Sequence, residues 1–219
     1  MTTPQDLRAA LAADDASTRL RAALAAGSAP DPALAGVLVE RCAAEPDAFV
    51  RDMLTWALTR LPAADVLPRL RDELGSPLPR ARAQALHTLS KIADPSTWPW
   101  VTRDLLRDHD DDVARTAWRT AVVLAPAGER AALAAELAGR LGRGDRDVRL
   151  SLSRALGDLG DAATAALAGA SVDPDPAVAA HARATVLLRA DPDAGFDAAV
   201  AEAKRVVALG PGRGTMTGC

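Results

Sequence analysis

Tyrosine is missing from this 219-residue chain, and its whole aromatic complement is four tryptophans and two phenylalanines. With so few aromatic and β-branched residues, a strand-rich core is disfavoured. Lysine occurs only at Lys91 and Lys204, so positive charge is almost entirely arginine, a bias that follows genomic base composition as readily as function. The formal net charge of -3 supplies no global basic field, which argues against a generic nucleic-acid binder while leaving room for a local basic groove. Two cysteines, Cys42 and Cys219, make neither a disulfide framework nor a metal-ligand spacing, and a reducing cytoplasm fits best. The opening MTTPQDLRAALAADD has no basic segment followed by an apolar one. No window reaches the roughly 18 uncharged apolar residues of a membrane span, so neither secretion nor membrane insertion is expected.

What the chain does have is alanine, leucine and valine. Apolar residues make up 49% of it, enough for a core built from small, strongly helix-forming side chains. A repeat organises them. The pattern V-R-x-x-Φ-x-x-A-L, with Φ apolar, runs through Val50-Arg51, Leu54, Ala57-Leu58 and then Ala81-Arg82, Ala85, Thr88-Leu89. It continues through Ala114-Arg115, Trp118, Ala121-Val122 and Val148-Arg149, Leu152, Ala155-Leu156, and more weakly through Val178-Ala179, Ala182, Thr185-Val186. The marker positions 51, 82, 115, 149 and 179 stand 31, 33, 34 and 30 residues apart, and a degenerate copy lies at 14–27. A period of this size signals stacked supersecondary units.

Within each copy the apolar positions share one side of a helix, which faces the core. A second amphipathic segment precedes each marker helix, at 31–42, 63–74, 96–106, 127–141 and 161–170, so the unit reads helix, turn, helix. The turns EPDAF, GSPLP, DHDDD, GRGDRD and DPDP are rich in Asp, Gly and Pro. Asp there suits a helix N-cap and Pro a first turn.

The acidic turn, then V-R, then A-L is similar to the consensus of HEAT repeats, including those of short bacterial scaffold proteins, and the resemblance spans roughly residues 3–190. It implies an all-α fold, a right-handed α-solenoid of antiparallel helix pairs. Six repeats are expected, at about 3–27, 31–61, 63–93, 95–125, 127–159 and 161–190, in a single solenoid domain over 1–209. A capping helix at 191–209 and a disordered tail at 210–219 complete it, and the cap favours a monomer. The resemblance also implies a structural ladder in which each marker arginine pairs with the preceding turn's acid. Its members would be Asp47, Arg51, Arg82, Asp112, Arg115, Asp147 and Arg149, with no acid at Leu78 and Pro79 of the third repeat.

Five residues after the marker comes a column that varies: Trp56, His87, Thr120, Arg154 and Ala184. Met53 with Arg60, and Gln84 with Lys91, share its helix face by their spacing. In HEAT solenoids the second helices line the concave surface, so Met53, Trp56, Arg60, Gln84, His87, Lys91, Thr120 and Arg154 are candidates for binding a partner protein. An ordinary solvated face with a partly packed tryptophan is the bland alternative. Trp118 holds an apolar marker position and belongs to the core. Trp98 and Trp100 diverge by about 200° on a helix, so only one of them can share a given core.

Chemistry has thin support. The His-Glu dyads by which some HEAT-type hydroxylases hold iron are absent, since His87, His109 and His181 are isolated, and neither metal nor cofactor is expected. A Ser–His–Asp site has no strand-turn-helix to present its nucleophile. The run Asp108–Asp112 lacks the Gly and terminal Glu of a calcium loop and suits a solvated cap. The resemblance leaves two alternatives to a non-catalytic scaffold. One is a HEAT-like DNA glycosylase or other nucleic-acid binder using Trp56, Asp52, Arg60, His87, Lys91 and Arg154. The other is a lyase or chaperone for cofactor attachment, which no particular residue supports.

Overall fold

The computed structural model describes residues 3–191 and 195–209, and every regular element among them is helical. The expected tail at 210–219 lies outside the described residues. Two compact units divide the chain, residues 1–124 and 125–219.

The first unit holds α1 (Pro4–Leu11), α2 (Ala16–Ser28), α3 (Ala35–Ala44), α4 (Ala48–Thr59), α5 (Ala63–Glu73), α6 (Pro79–Ile92), α7 (Arg103–Leu106) and α8 (Asp111–Leu124). Odd and even helices pair, and the even ones pack in series, α2 on α4, α4 on α6 and α6 on α8. Their starts are set by the turn aspartates. Asp15, Asp47 and Asp110 accept from the amides of Thr18, Val50 and Val113 at 2.8, 3.0 and 3.1 Å, satisfying N–H groups that the helix itself leaves unpaired. The core is leucine, valine and alanine, with Trp118 only 1% exposed and its indole N–H donating to the Leu106 carbonyl at 2.9 Å.

One first helix departs from expectation. Residues 96–106 do not form a continuous helix: Pro95–Trp100 is a 3-10 turn, Val101 leaves helical geometry, and α7 has four residues. Pro99 removes a donor and disfavours α geometry at Trp98. Both neighbouring tryptophans are half-buried, and the Arg71 guanidinium sits 5.4 Å from the Trp100 ring centre.

Two arginines reach acids of the following repeat, and of these only Arg82 was among the expected ladder residues. Arg19 clamps Glu45 through two 2.8 Å bonds, and Arg82 clamps Asp108 through two of 2.9 Å. Each acid lies 26 residues after its arginine, in the following repeat's turn. Position 77, the equivalent for Arg51, is a proline. The third donor function is local: Arg19, Arg51 and Arg82 all reach carbonyls of their own turn at 2.7–3.0 Å. The acids expected as partners are otherwise engaged. Asp47 is a cap, Asp112 meets Arg115 only at 3.8 Å across one helical turn, and Asp147 lies 3.4 Å from its neighbour Arg146. Arg149 carries a buried Nε with no hydrogen-bond partner.

Glu45 is wholly buried, and besides Arg19 it accepts from Arg41 and from the Asp47 amide. Burial alone would raise its pKa. The Arg19 bonds, the Asp47 amide and Arg41 together outweigh that and hold it down at about 2.

In the second unit, α9 (Arg130–Ala138) and α10 (Arg146–Asp158) are followed by α11 (Thr164–Ala170), α12 (Pro176–Ala190) and α13 (Phe196–Leu209). The last described helix, α13, packs on α12 through Ala180, Ala184, Ala199 and Ala203. His181 anchors the interior. Its Nδ1 accepts from the Gly142 amide at 3.0 Å, so Nε2 carries the proton and faces the Arg149 carbonyl at 3.1 Å and the Ser153 hydroxyl at 3.0 Å. Ser153 then meets Thr185, whose hydroxyl donates to the His181 carbonyl. Burial pushes the imidazole pKa down to about 4; the Arg149 carbonyl opposes this and the Arg149 charge adds to it.

Glu45→Gln keeps the shape and removes the charge that two arginines share, so chemical denaturation should show a loss of roughly 3–5 kcal/mol. For both acidic Glu45 and basic His181 the folded pKa lies below the ordinary value, so each contributes stability that is present at higher pH and lost as the pH drops. The His181 contribution, roughly 3 kcal/mol, is complete above pH 6.5 and lost by about pH 4. Glu45 loses its own between about 4.5 and 2. Urea melts of the wild type against His181→Gln, which does not titrate, should show a stability gap that narrows from pH 7 to 4; a constant gap would contradict the buried neutral imidazole.

Candidate functional site

Helices α4, α6 and α8 form a groove of about 600 Å³, lined from α4 by Arg51 and Asp52, from α6 by Arg80, Gln84 and His87, and from α8 by Asp112, Thr116 and Arg119. Three arginines and the acids Asp52, Asp110 and Asp112 interleave along it. His87 stands 4.0 Å from Asp52. Burial lowers the His87 pKa below the usual imidazole value, the Lys91 and Arg119 charges adding to this and Asp52 opposing it. Near neutral pH the ring is therefore uncharged, one nitrogen donating and one accepting. Beside it the Gln84 amide offers both functions again.

Of the binding residues expected from the sequence, Gln84 and His87 line this groove and Trp56, Met53, Arg60 and Lys91 do not. Trp56 instead lies against Gly27 of α2, so closely that a β-carbon on that glycine would overlap the indole, and Arg60 sits 6.0 Å from the ring centre. Met53 is half-buried, and Arg60 and Lys91 are exposed near the C-terminal ends of α4 and α6. Arg154 belongs to α10 in the second unit.

Thr120 is a correction. It is fully buried, and its hydroxyl lies 2.9 Å from the Leu86 carbonyl and 2.8 Å from that of Thr116. The reason is a one-residue slip of register in the fourth repeat. N-cap positions 47, 78 and 145 each stand four residues before Arg51, Arg82 and Arg149. Asp110 caps α8, so the marker position there is Ala114 and not Arg115. Five residues on comes Arg119, exposed in the groove beside His87. The buried valine supplied the signal: Val113 corresponds to Val50 and Val148, while the arginine at 115 drew the frame one residue too far. Arg80 and Asp110 were missed as well, because they lie before the repeated core of the pattern.

Among the described residues, the Ser153–His181 pair is not arranged for nucleophilic catalysis. The Ser153 hydroxyl is 3.0 Å from His181, but the Gly142 amide occupies Nδ1, so Nε2 is a donor and cannot take the serine proton. Burial drives the Cys42 thiol pKa up to about 12, leaving no thiolate near neutral pH. Among the described residues no three His, Cys, Asp or Glu side chains cluster to hold a metal ion, and no helix is long and apolar enough to cross a membrane.

The recurring capped helix pairs define a repeat protein, and the family model of HEAT repeats matches residues 50–125, bearing out that resemblance over α4 to α8. No curated protein matches the chain. Among solved structures, that of the complex of CpcE and CpcF of phycocyanin lyase from Nostoc sp. PCC7120 is similar, with 18% identity over 94% of each chain. Its TM-score of 0.39 is too low to carry an assignment.

The corrected register makes opposite demands on two adjacent residues. Thr120→Ala should cost roughly 1–2 kcal/mol in a urea melt by removing a buried hydrogen bond and a methyl group. Arg119→Ala should stay within about 0.5 kcal/mol, as for an exposed side chain. The reverse order would restore the original frame.

Proposed function

We propose that the chain is a protein-interaction scaffold whose first unit holds a polar segment of a partner protein in the groove of α4, α6 and α8. The observation that carries this is the neutral His87 beside Gln84 and Arg119, with acids between. Such a lining offers donors and acceptors in alternation, which matches the amide groups of a polypeptide better than a row of like charges. A stacked-repeat surface can take an extended ligand without a closed pocket. Nucleic acid fits less well: three aspartates among the arginines oppose a phosphate backbone, whose binding depends on accumulated cationic contacts.

A photo-crosslinking residue placed at Gln84 should capture a defined cellular protein that the same residue at Arg69 on α5 does not. With that partner purified, Arg119→Glu should weaken binding on the order of tenfold or more, since it sets a like or unpaired charge in the contact. Equal affinity for wild type and variant would overturn the assignment of this face, as would a short DNA duplex binding more tightly than the protein and losing affinity steeply with salt.

A further inference from the structure

Beside the polar groove the first unit carries an apolar strip left open to solvent. Phe49, Met53 and Trp56 follow one another at intervals of four and three on α4, which sets them on one stripe of the helix. Phe49 is 60% exposed, and Met53 and Trp56 are half-buried. The indole rests on Gly27 of α2, and Leu24, one helical turn before that glycine, is 38% exposed. The strip therefore continues from α4 onto α2. Asp52, which lines the groove, lies three residues after Phe49 and four before Trp56, so groove and strip are adjoining stripes of one helix.

The repeat itself does not call for apolar groups here. Phe49 is the second residue after its cap, where the other second helices carry Ser17, Arg80, Asp112, Asp147 and Ala177. Nine residues after the cap the second helices of this unit read Leu24, Trp56, His87 and Arg119. Across the surface the side chains thus pass from apolar on α2 and α4 to neutral on α6 and cationic on α8.

Size and spacing choose the occupant. Leu24, Phe49, Met53 and Trp56 expose on the order of 300 Å² between them. A stable interface between two copies takes about 800 Å² from each. A strip this small suits the anchor of a short segment. Neighbouring helices stand about 8–10 Å apart, and an extended chain rises about 3.3 Å per residue. A residue on the strip and one meeting Gln84 and His87 are therefore about two to four positions apart in such a chain.

We propose that the strip seats a large apolar side chain of the same partner segment whose polar stretch occupies the groove. This rests on the groove reading above and adds the partner's chemistry: an extended segment with one apolar anchor at the end that lies over α2 and α4. A buried apolar anchor flanked by polar contacts concentrates binding energy in few residues.

The test pans a phage-displayed library of random dodecapeptides on the immobilised full chain, and the retained sequences are made as fluorescein-labelled peptides and titrated by anisotropy. Retained peptides should share a large apolar residue about two to four positions from uncharged polar ones, and its replacement by serine should weaken binding on the order of tenfold or more. Phe49→Asp should weaken binding as much while melting no lower than the wild type, because an acid suits the first turn of a helix. Arg119→Glu reads the groove separately. Loss with Arg119→Glu and none with Phe49→Asp overturns the anchor and keeps the groove. Loss with Phe49→Asp and none with Arg119→Glu upholds the strip and overturns the groove. Retained peptides without an apolar residue, no retained peptide at all, or a dimer in sedimentation velocity that Phe49→Asp dissolves would each overturn the proposal.

Discussion

A carboxylate with no exposed surface ties the first turns of this protein together. Glu45 stands where a charge would ordinarily be expelled, and its oxygens are held by Arg19 from the preceding repeat, by Arg41 on its own helix, and by the Asp47 amide. The same amide belongs to the residue that caps α4, so the start of that helix, its first turn and the position of α2 are settled by one group. Everything on the exposed side of α4, including Arg51 and Asp52 in the groove, inherits its register from that point. A buried ion pair adds little over a well-packed apolar substitute, yet leaving one member alone is costly. Such a group specifies geometry more than it adds stability.

The sequence was legible where periodicity and propensity agreed. Alanine and leucine at helical spacing, punctuated by Asp and Pro, located nearly all of the helices, and Trp118 was placed in the core by its position alone. Two failures have distinct causes. Pro99 broke a helix that the apolar pattern had run straight through, because periodicity does not register a missing donor. In the fourth repeat, DDVAR offers two frames one residue apart, and both keep apolar side chains on the inner face. Only the cap decides between them: Asp110 bonds the Val113 amide, which brings Arg119 to the surface and buries Thr120.

The ladder shows a different kind of blindness. Arg82 was readable in the column without an acid of its own, and its partner Asp108 lies 26 residues ahead in the next repeat; Arg19, outside the column as read, reaches Glu45 over the same interval. Proximity in sequence favoured Asp47 and Asp112, which the helix ends had already claimed as caps or left to solvent. Nothing in one copy of the repeat says which turn its arginine will reach, since that depends on how the next pair stacks. The groove residues Gln84 and His87 were recoverable from helix spacing, whereas Trp56 was not placed correctly, because its packing on Gly27 is an exception confined to one pair.

The alanine at position 184 bears on how closely two helices can approach. In the register set by the caps it stands where other second helices carry Trp56, His87, Arg119 and Arg154, and it lies under α13 against Ala199 and Ala203. A methyl group there lets another backbone come close; any of the larger side chains would hold it off. The close seating of α13 on α12 therefore depends on a small side chain at this one position. A chain carrying there the tryptophan or arginine of the other second helices would have to seat α13 farther from α12.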